Sequence, residues 1–155
     1  TAAVDIMNGF LGNDILSGMD GDDIIDGGDG DDVITGGLGF DRLTGGAGAD
    51  TFVYNSINEA AFLGVGAPGA RETITDFGAG DRLDFTNLAG LRGTLNWMGS
   101  SGGGWTADST NSEAMFDDAT DTLSIDVDGN GAGDMEIVMT NVDGNDLNLV
   151  NLVFA

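Results

Sequence analysis

Asp14, Asp23, Asp32, Asp41 and Asp50 stand at a regular spacing of nine, each two positions after one glycine and five after another. Carboxylates at a fixed interval on glycine turns are short oxygen ligands held on a tight backbone. Glycine lets that backbone take left-handed dihedrals and aim its carbonyls inward. An oxygen-only donor set of this kind suits Ca²⁺, which takes about six to eight oxygen atoms in flexible geometry. The chain has no His and no Cys, which removes most zinc sites, thiol chemistry and every His-dependent catalytic triad.

The elements that carry these aspartates form an uninterrupted repeat. Residues 9–53 divide into GFLGNDILS, GMDGDDIID, GGDGDDVIT, GGLGFDRLT and GGAGADTFV. Position 1 is always Gly (Gly9, Gly18, Gly27, Gly36, Gly45), position 4 is always Gly (Gly12, Gly21, Gly30, Gly39, Gly48), and position 6 is always Asp. Position 8 is always large and apolar: Leu16, Ile25, Ile34, Leu43, Phe52. Position 2 is Gly28, Gly37 and Gly46 in the last three repeats but Phe10 and Met19 in the first two. The residues after each Asp predict a short strand whose alternation buries position 8 and turns positions 7 and 9 outward. A glycine-rich linker would not keep an apolar residue at every ninth position.

This unit resembles the RTX nonapeptide, G-G-x-G-x-D-x-U-x with U apolar. The resemblance implies an all-β fold, a parallel β-roll in which two repeats make one coil and every repeat stacks on the next but one. Asp14 then lies near Asp32, Asp23 near Asp41, and Asp32 near Asp50. Without metal these pairs repel; with Ca²⁺ between the turns they become ligands beside the loop carbonyls. Three ions follow from five repeats. The expected ligand set is Phe10, Gly12, Asp14, Met19, Gly21, Asp23, Gly27, Gly28, Gly30, Asp32, Gly36, Gly37, Gly39, Asp41, Gly45, Gly46, Gly48 and Asp50. Asp5 and Met7 fall at positions 6 and 8 of a preceding repeat whose glycine turn is missing, so the array is expected to be cut from a longer one.

From Tyr54 the period fails. Two segments are expected: a roll over 1–53, and a β-rich C-terminal cap over 54–155 continuous with it. Gly78-Ala79-Gly80-Asp81-Arg82-Leu83 echoes the repeat around Asp41 with one residue deleted and predicts a degenerate last coil. The run from Ala49 to Ala60, followed by TITDF and GDRLDF, resembles the C-terminal module of serralysin-type metalloproteases and of alginate C-5 epimerases. That resemblance implies one further Ca²⁺ at the cap junction, held by Glu59, Glu72 and Asp81. Alternating Leu123, Ile125, Val127 and Met135, Ile137, Met139 predict a hairpin around residues 128–134. Asp126-x-Asp128-x-Asn130-Gly131 matches the opening of an EF-hand loop, but Ile137 stands where the closing Glu belongs, so turn chemistry is the better account. Trp97 and Trp105, in a Gly/Ser-rich stretch, are expected in the cap core.

The 155 residues carry 27 acidic groups, 23 of them Asp, against four arginines and no lysine, a net charge of −23. Nucleic acid and anionic membranes need clustered Lys and Arg and are poor partners. No apolar run is long enough to predict a membrane span. Lacking the three histidines that a serralysin protease needs, the chain is expected to be a non-catalytic module. The function implied by the resemblance is a secreted, extracellular calcium module that folds on Ca²⁺. It would support folding of upstream domains and passage through type I secretion machinery, and its apolar C-terminus resembles the signals such machinery reads. The alternatives are a polysaccharide (alginate)-binding module of a secreted enzyme, or the terminal module of an adhesin.

Overall fold

The structure is a computed structural model that describes residues 3–60, 71–91, 96–100, 111–140, 142 and 152–154. The residues before Gly9 contribute β1 (Ile6–Asn8), and the five repeats contribute β2 (Ile15–Asp20), β3 (Ile24–Asp29), β4 (Val33–Leu38), β5 (Arg42–Ala47) and β6 (Thr51–Val53). Odd and even strands separate into two parallel sheets, because each strand pairs with the strand of the next repeat but one. Ile24 pairs with Ile6 and Arg42, while Val33 pairs with Ile15 and Thr51. The architecture is the expected parallel β-roll.

The same two-repeat step decides the core. Ile25, Leu43, Ile34 and Phe52 at position 8 face the space between the sheets and are at most 1% exposed. Leu16 and Met7, at the open N-terminal end, are only half-buried. Position 7 faces outward as expected. Ile6 is 78% exposed and Ile15 85%, so the described C-terminal residues leave that end of the outer face uncovered.

After β6 more chain intervenes between one coil and the next, yet the register holds. β7 (Glu72–Ile74) lies on β5 with Thr73 opposite Arg42, and β8 (Arg82–Asp84) lies on β6 with Leu83 opposite Phe52. Ile74 and Leu83, both fully buried, extend the two core columns. A 3-10 turn, Ile57–Glu59, opens the extra chain, with Ser56 capping it by accepting from Asn58 N at 3.2 Å.

Both sheets continue into the C-terminal half. β12 (Met135–Met139) adds in parallel to β7, followed outward by β11 (Thr122–Asp126), β10 (Glu113–Asp117) and β9 (Asn96–Ser100). β13 (Leu152–Val153) adds to β8. The expected hairpin is β11 and β12, antiparallel, with Leu123 opposite Ile137 and Ile125 opposite Met135, all four fully buried. Tyr54, Phe85 and Phe154 stack in a row, with ring centroids 5.4 and 5.3 Å apart. Trp97 falls on β9, while Trp105 and most of the C-terminal apolar run lie outside the described residues. Among the described residues there is no α-helix, and no helix long and apolar enough to cross a membrane.

Candidate metal centres

The position-6 carboxylates form two ladders, one along each edge of the roll. In each, Oδ1 accepts the backbone N–H of the residue one coil earlier. Asp23 accepts from Asp5 N at 2.7 Å, and Asp41 from Asp23 N at 2.7 Å. On the other edge Asp32 accepts from Asp14 N at 2.8 Å, and Asp50 from Asp32 N at 2.9 Å. One oxygen of each of these four carboxylates therefore holds the stack together.

The other oxygen is the informative one. Oδ2 of Asp14, Asp23, Asp32, Asp41 and Asp50 is buried in every case and has no hydrogen-bond partner. A buried polar atom left without a partner costs about 1–3 kcal/mol, and more when it is charged. Five such oxygens, spaced one per repeat, are atoms that a bound cation would satisfy.

The neighbouring backbone supplies the remaining oxygens. A Cβ placed on Gly9 would meet Asp14 Oδ2 at 2.7 Å and the Gly27 carbonyl; one on Gly18 would meet Asp23 Oδ2 and the Gly36 carbonyl at 2.5 Å. On Gly27 it would meet Asp32 Oδ2 and the Gly45 carbonyl at 2.6 Å. Carboxylate and next-coil carbonyl thus converge on one point at each of three turns, and a side chain at position 1 would fill it. Hard oxygen donors of both kinds fit Ca²⁺. Of the expected carbonyl ligands, those of Gly27, Gly36 and Gly45 reach this point. The Phe10 carbonyl accepts instead from Asp29 N at 2.8 Å. The carbonyls of Met19 and Gly28 face Gly37 and Gly46 of the next coil, and those of Gly12, Gly21 and Gly30 face Gly30, Gly39 and Gly48.

Burial and like charge act on these groups together. Desolvation, reinforced by repulsion from Asp23, Asp22 and Glu59, raises the Asp41 carboxyl to about 6. Asp50 is likewise raised to about 6 by burial, then by Asp81, Asp32 and Asp76. Both shifts run toward the protonated acid, the state a missing cation favours.

The expected cap set of Glu59, Glu72 and Asp81 is divided between the two ladders, since Glu72 opens β7 in one sheet and Asp81 precedes β8 in the other. Glu72 ends the first ladder: its Oε2 accepts from Asp41 N at 3.0 Å, and Oε1 faces the buried Tyr54 hydroxyl at 3.4 Å. Glu59 lies close enough to raise the pKa of both Asp41 and Glu72 and accepts from Asn55 N at 2.8 Å. Asp81 ends the second ladder, with Oδ1 on Asp50 N at 2.9 Å and Oδ2 on Gly78 N at 2.7 Å. Burial raises Glu59, Glu72 and Asp81 as well. The sequence resemblance grouped the three by proximity to one segment, but alternate strands of a roll belong to opposite edges.

Two structural roles were missed from sequence. Position 5 forms a second ladder running the other way: Asn13 Oδ1 accepts from Asp31 N, Asp22 from Phe40 N, and Asp31 from Ala49 N, at 2.9–3.0 Å. The signal was present, since position 5 changes to Phe40 and Ala49 where no further regular turn stacks above. Asp76 caps the last glycine turn, its two oxygens accepting from Gly45 N at 2.9 Å and Gly46 N at 2.8 Å. Asp126, Asp128 and Asp134 bring carboxylate oxygens within 4.8 Å of one another. Asp126 is nevertheless satisfied by the Gly129, Asn130 and Gly131 amides, and Asp134 by those of Val127 and Asp128. The group closes the hairpin turn.

A family model for the RTX calcium-binding nonapeptide repeat (4 copies) matches residues 8–43 and 26–56. The roll is built of RTX repeats. No curated protein matches the chain. Among solved structures it is similar to the AlgE6R2 subunit of the Azotobacter vinelandii mannuronan C5-epimerase, at 27% identity and a TM-score of 0.64, covering 98% of this chain and 89% of that one. It is similar also to the AlgE6R3 subunit of the same enzyme, at 26% identity and a TM-score of 0.66, covering 100% of this chain and 81% of that one. Most of this chain therefore shares its fold with a subunit of that enzyme, and residues 8–56 match calcium-binding repeats.

Proposed function

We propose that this chain, with its RTX repeats, is the calcium-driven folding module of a larger secreted protein. The observation that carries the proposal is the row of five buried, unpartnered Asp Oδ2 atoms. In calcium-poor surroundings their mutual repulsion and desolvation oppose the roll, leaving an extended chain that a type I exporter can pass. Outside the cell, Ca²⁺ between the turns removes the penalty. The roll then orders from the cap, residues 54–155, and offers a folded end to upstream domains. Three ions belong to the Asp14–Asp32, Asp23–Asp41 and Asp32–Asp50 pairs. A further one belongs where Glu59 and Glu72 meet Asp41, with Asp81 as a ladder end.

Extracellular calcium modules bind at about 10⁻⁴ to 10⁻³ M. At ten times Kd each independent ion contributes about 1.4 kcal/mol, so four supply about 5–6 kcal/mol. That equals the whole stability of a small domain. Far-UV circular dichroism is expected to show a cooperative gain of β signal on adding Ca²⁺ but not Mg²⁺, whose rigid octahedral demand suits carbonyl-rich turns poorly. A full β spectrum in excess chelator would overturn the proposal.

Binding of an acidic polysaccharide is a second role, supported by the names of the similar structures and by two exposed arginines, Arg42 and Arg82, at outward positions. Calorimetric titration of the calcium-loaded module with polymannuronate tests it: no heat beyond dilution sinks it.

A further inference from the structure

The turn after the fifth repeat departs from the pattern at one side chain. Counting on in nines from Gly45, residues 54–62 read YNSINEAAF, with Tyr54 at position 1 and Glu59 at position 6. The register of β6 on β4, Val33 opposite Thr51 and Ile34 opposite Phe52, carries on to set Tyr54 over Gly36. At Gly9, Gly18, Gly27, Gly36 and Gly45 a Cβ would meet Oδ2 of the aspartate in the same repeat. Position 1 thus looks toward a carboxylate, and the repeats keep it bare. Tyr54 instead carries a phenol there, 2% exposed. Its hydroxyl donates to Glu72 Oε1 at 3.4 Å, while Glu72 Oε2 accepts from Asp41 N at 3.0 Å. Glu72 therefore takes the place of the next aspartate in that ladder, with one difference. The second oxygen, unpartnered in the five aspartates, has a donor here. Burial and then the charges of Glu72, Asp41 and Glu59 raise the phenol's pKa, so the hydroxyl lies among these three carboxylates.

We propose that Tyr54 is the positioning residue of the junction ion, its hydroxyl fixing the Glu72 carboxylate beside Asp41 and Glu59. The inference rests on the reading that an ion belongs where Glu59 and Glu72 meet Asp41. The need for such a residue follows from side-chain length. Asp23, Asp32, Asp41 and Asp50 are each held by one backbone amide of the coil before, which suffices for a short side chain. Glutamate has one more rotatable bond and loses more entropy when it is ordered. A single amide leaves its second oxygen free to turn, and the phenol removes that freedom. The phenol is itself held. Its ring stacks on Phe85 with centroids 5.4 Å apart and planes at 20°, and Phe85 stacks on Phe154 at 5.3 Å. The aromatic row of the cap thus reaches the ion through one hydroxyl.

The test loads the full chain with Ca²⁺ and chases it with a fluorescent chelator, which counts the ions released in each kinetic phase. Tyr54→Phe keeps the stacked ring and removes only the hydroxyl. It is expected to release one ion per chain about tenfold faster, the effect of losing a hydrogen bond to a charged group, and to leave the other phases unchanged. In a Glu72→Gln background, where the charge that the hydroxyl fixes is gone, adding Tyr54→Phe is expected to change no phase further. Acceleration of every ion alike is what a purely structural role would produce, and it overturns the proposal. So does the absence of any acceleration, or an equal effect of Tyr54→Phe with Glu72 and with Gln at that position. Far-UV circular dichroism of the wild-type chain reads the calcium-folded roll separately. A wild-type β signal indifferent to Ca²⁺ overturns that reading, and this proposal with it.

Discussion

Protons should replace calcium, and the size of the effect can be worked out from two residues. Asp41 and Asp50 each have a carboxyl raised from 3.8 to about 6 by burial. A group whose folded value lies above its unfolded value binds more protons in the folded state, so stability falls as pH rises from about 4 through 6. At pH 7 each of these charges costs the calcium-free roll at most about 3 kcal/mol, solvent screening reducing it below that bound. At pH 5 about 1.3 kcal/mol of that is recovered per group, and at pH 4 about 2.4. The pair alone thus returns about 3 kcal/mol by pH 5. Glu59, Glu72 and Asp81 shift in the same direction and add to it. Up to about half of what four calcium ions supply is therefore available from the acid response of this pair. In excess chelator, the β signal is expected to be weak at pH 7 and to rise cooperatively between about pH 6 and 5. The measurement stops there because the isoelectric point is near 4.1, where self-association intervenes. In parallel, the calcium affinity of the folded chain should weaken on acidification, since protons and Ca²⁺ compete for the same Oδ2 atoms. A chelated chain whose β signal stays flat or falls from pH 7 to 5 would refute the claim that buried, unpaired carboxylates are what keep the apo chain unfolded.

Two substitutions probe the sites directly. Gly27→Ala places a methyl group where Asp32 Oδ2 and the Gly45 carbonyl converge, and should cost at least about 2 kcal/mol in saturating calcium. Urea unfolding with and without Ca²⁺ should show the loss chiefly in the calcium-bound form; an unchanged calcium dependence would place the ion elsewhere. Asp81→Ala removes acceptors for both Asp50 N and Gly78 N at the junction with the cap. Asp14→Ala acts at the open end, where no described coil stacks below its turn. Calcium titrations followed by circular dichroism should give the larger rise in midpoint for Asp81→Ala, because order passes between neighbouring coils and Asp81 bonds the last repeat at its junction with the cap. A larger rise for Asp14→Ala would locate nucleation at the N-terminus.

The period of nine determined a great deal by itself. Because the repeat is strict, its resemblance to the RTX unit was legible. That resemblance implied the stacking of each repeat on the next but one, and with it the parallel sheets and the pairing of aspartates across turns. The period alone gave the buried column at position 8. Position 8 needs only alternation and burial, both local properties, so Ile25, Ile34, Leu43 and Phe52 were legible as core. Where the period fails, sequence pattern loses its reference. The longer step to β7 and β8 is set by the core, which admits Ile74 and Leu83 into columns begun far earlier in the chain. No local propensity marks it. For the same reason Glu59, Glu72 and Asp81 look like one cluster along the chain and belong to two edges in space. Only the folded roll shows that Asp23, Asp32, Asp41 and Asp50 each use one oxygen to bind the coil before them and leave the other buried and unpaired. That asymmetry arises from the fit of one coil on the next, a contact made a full coil away along the chain.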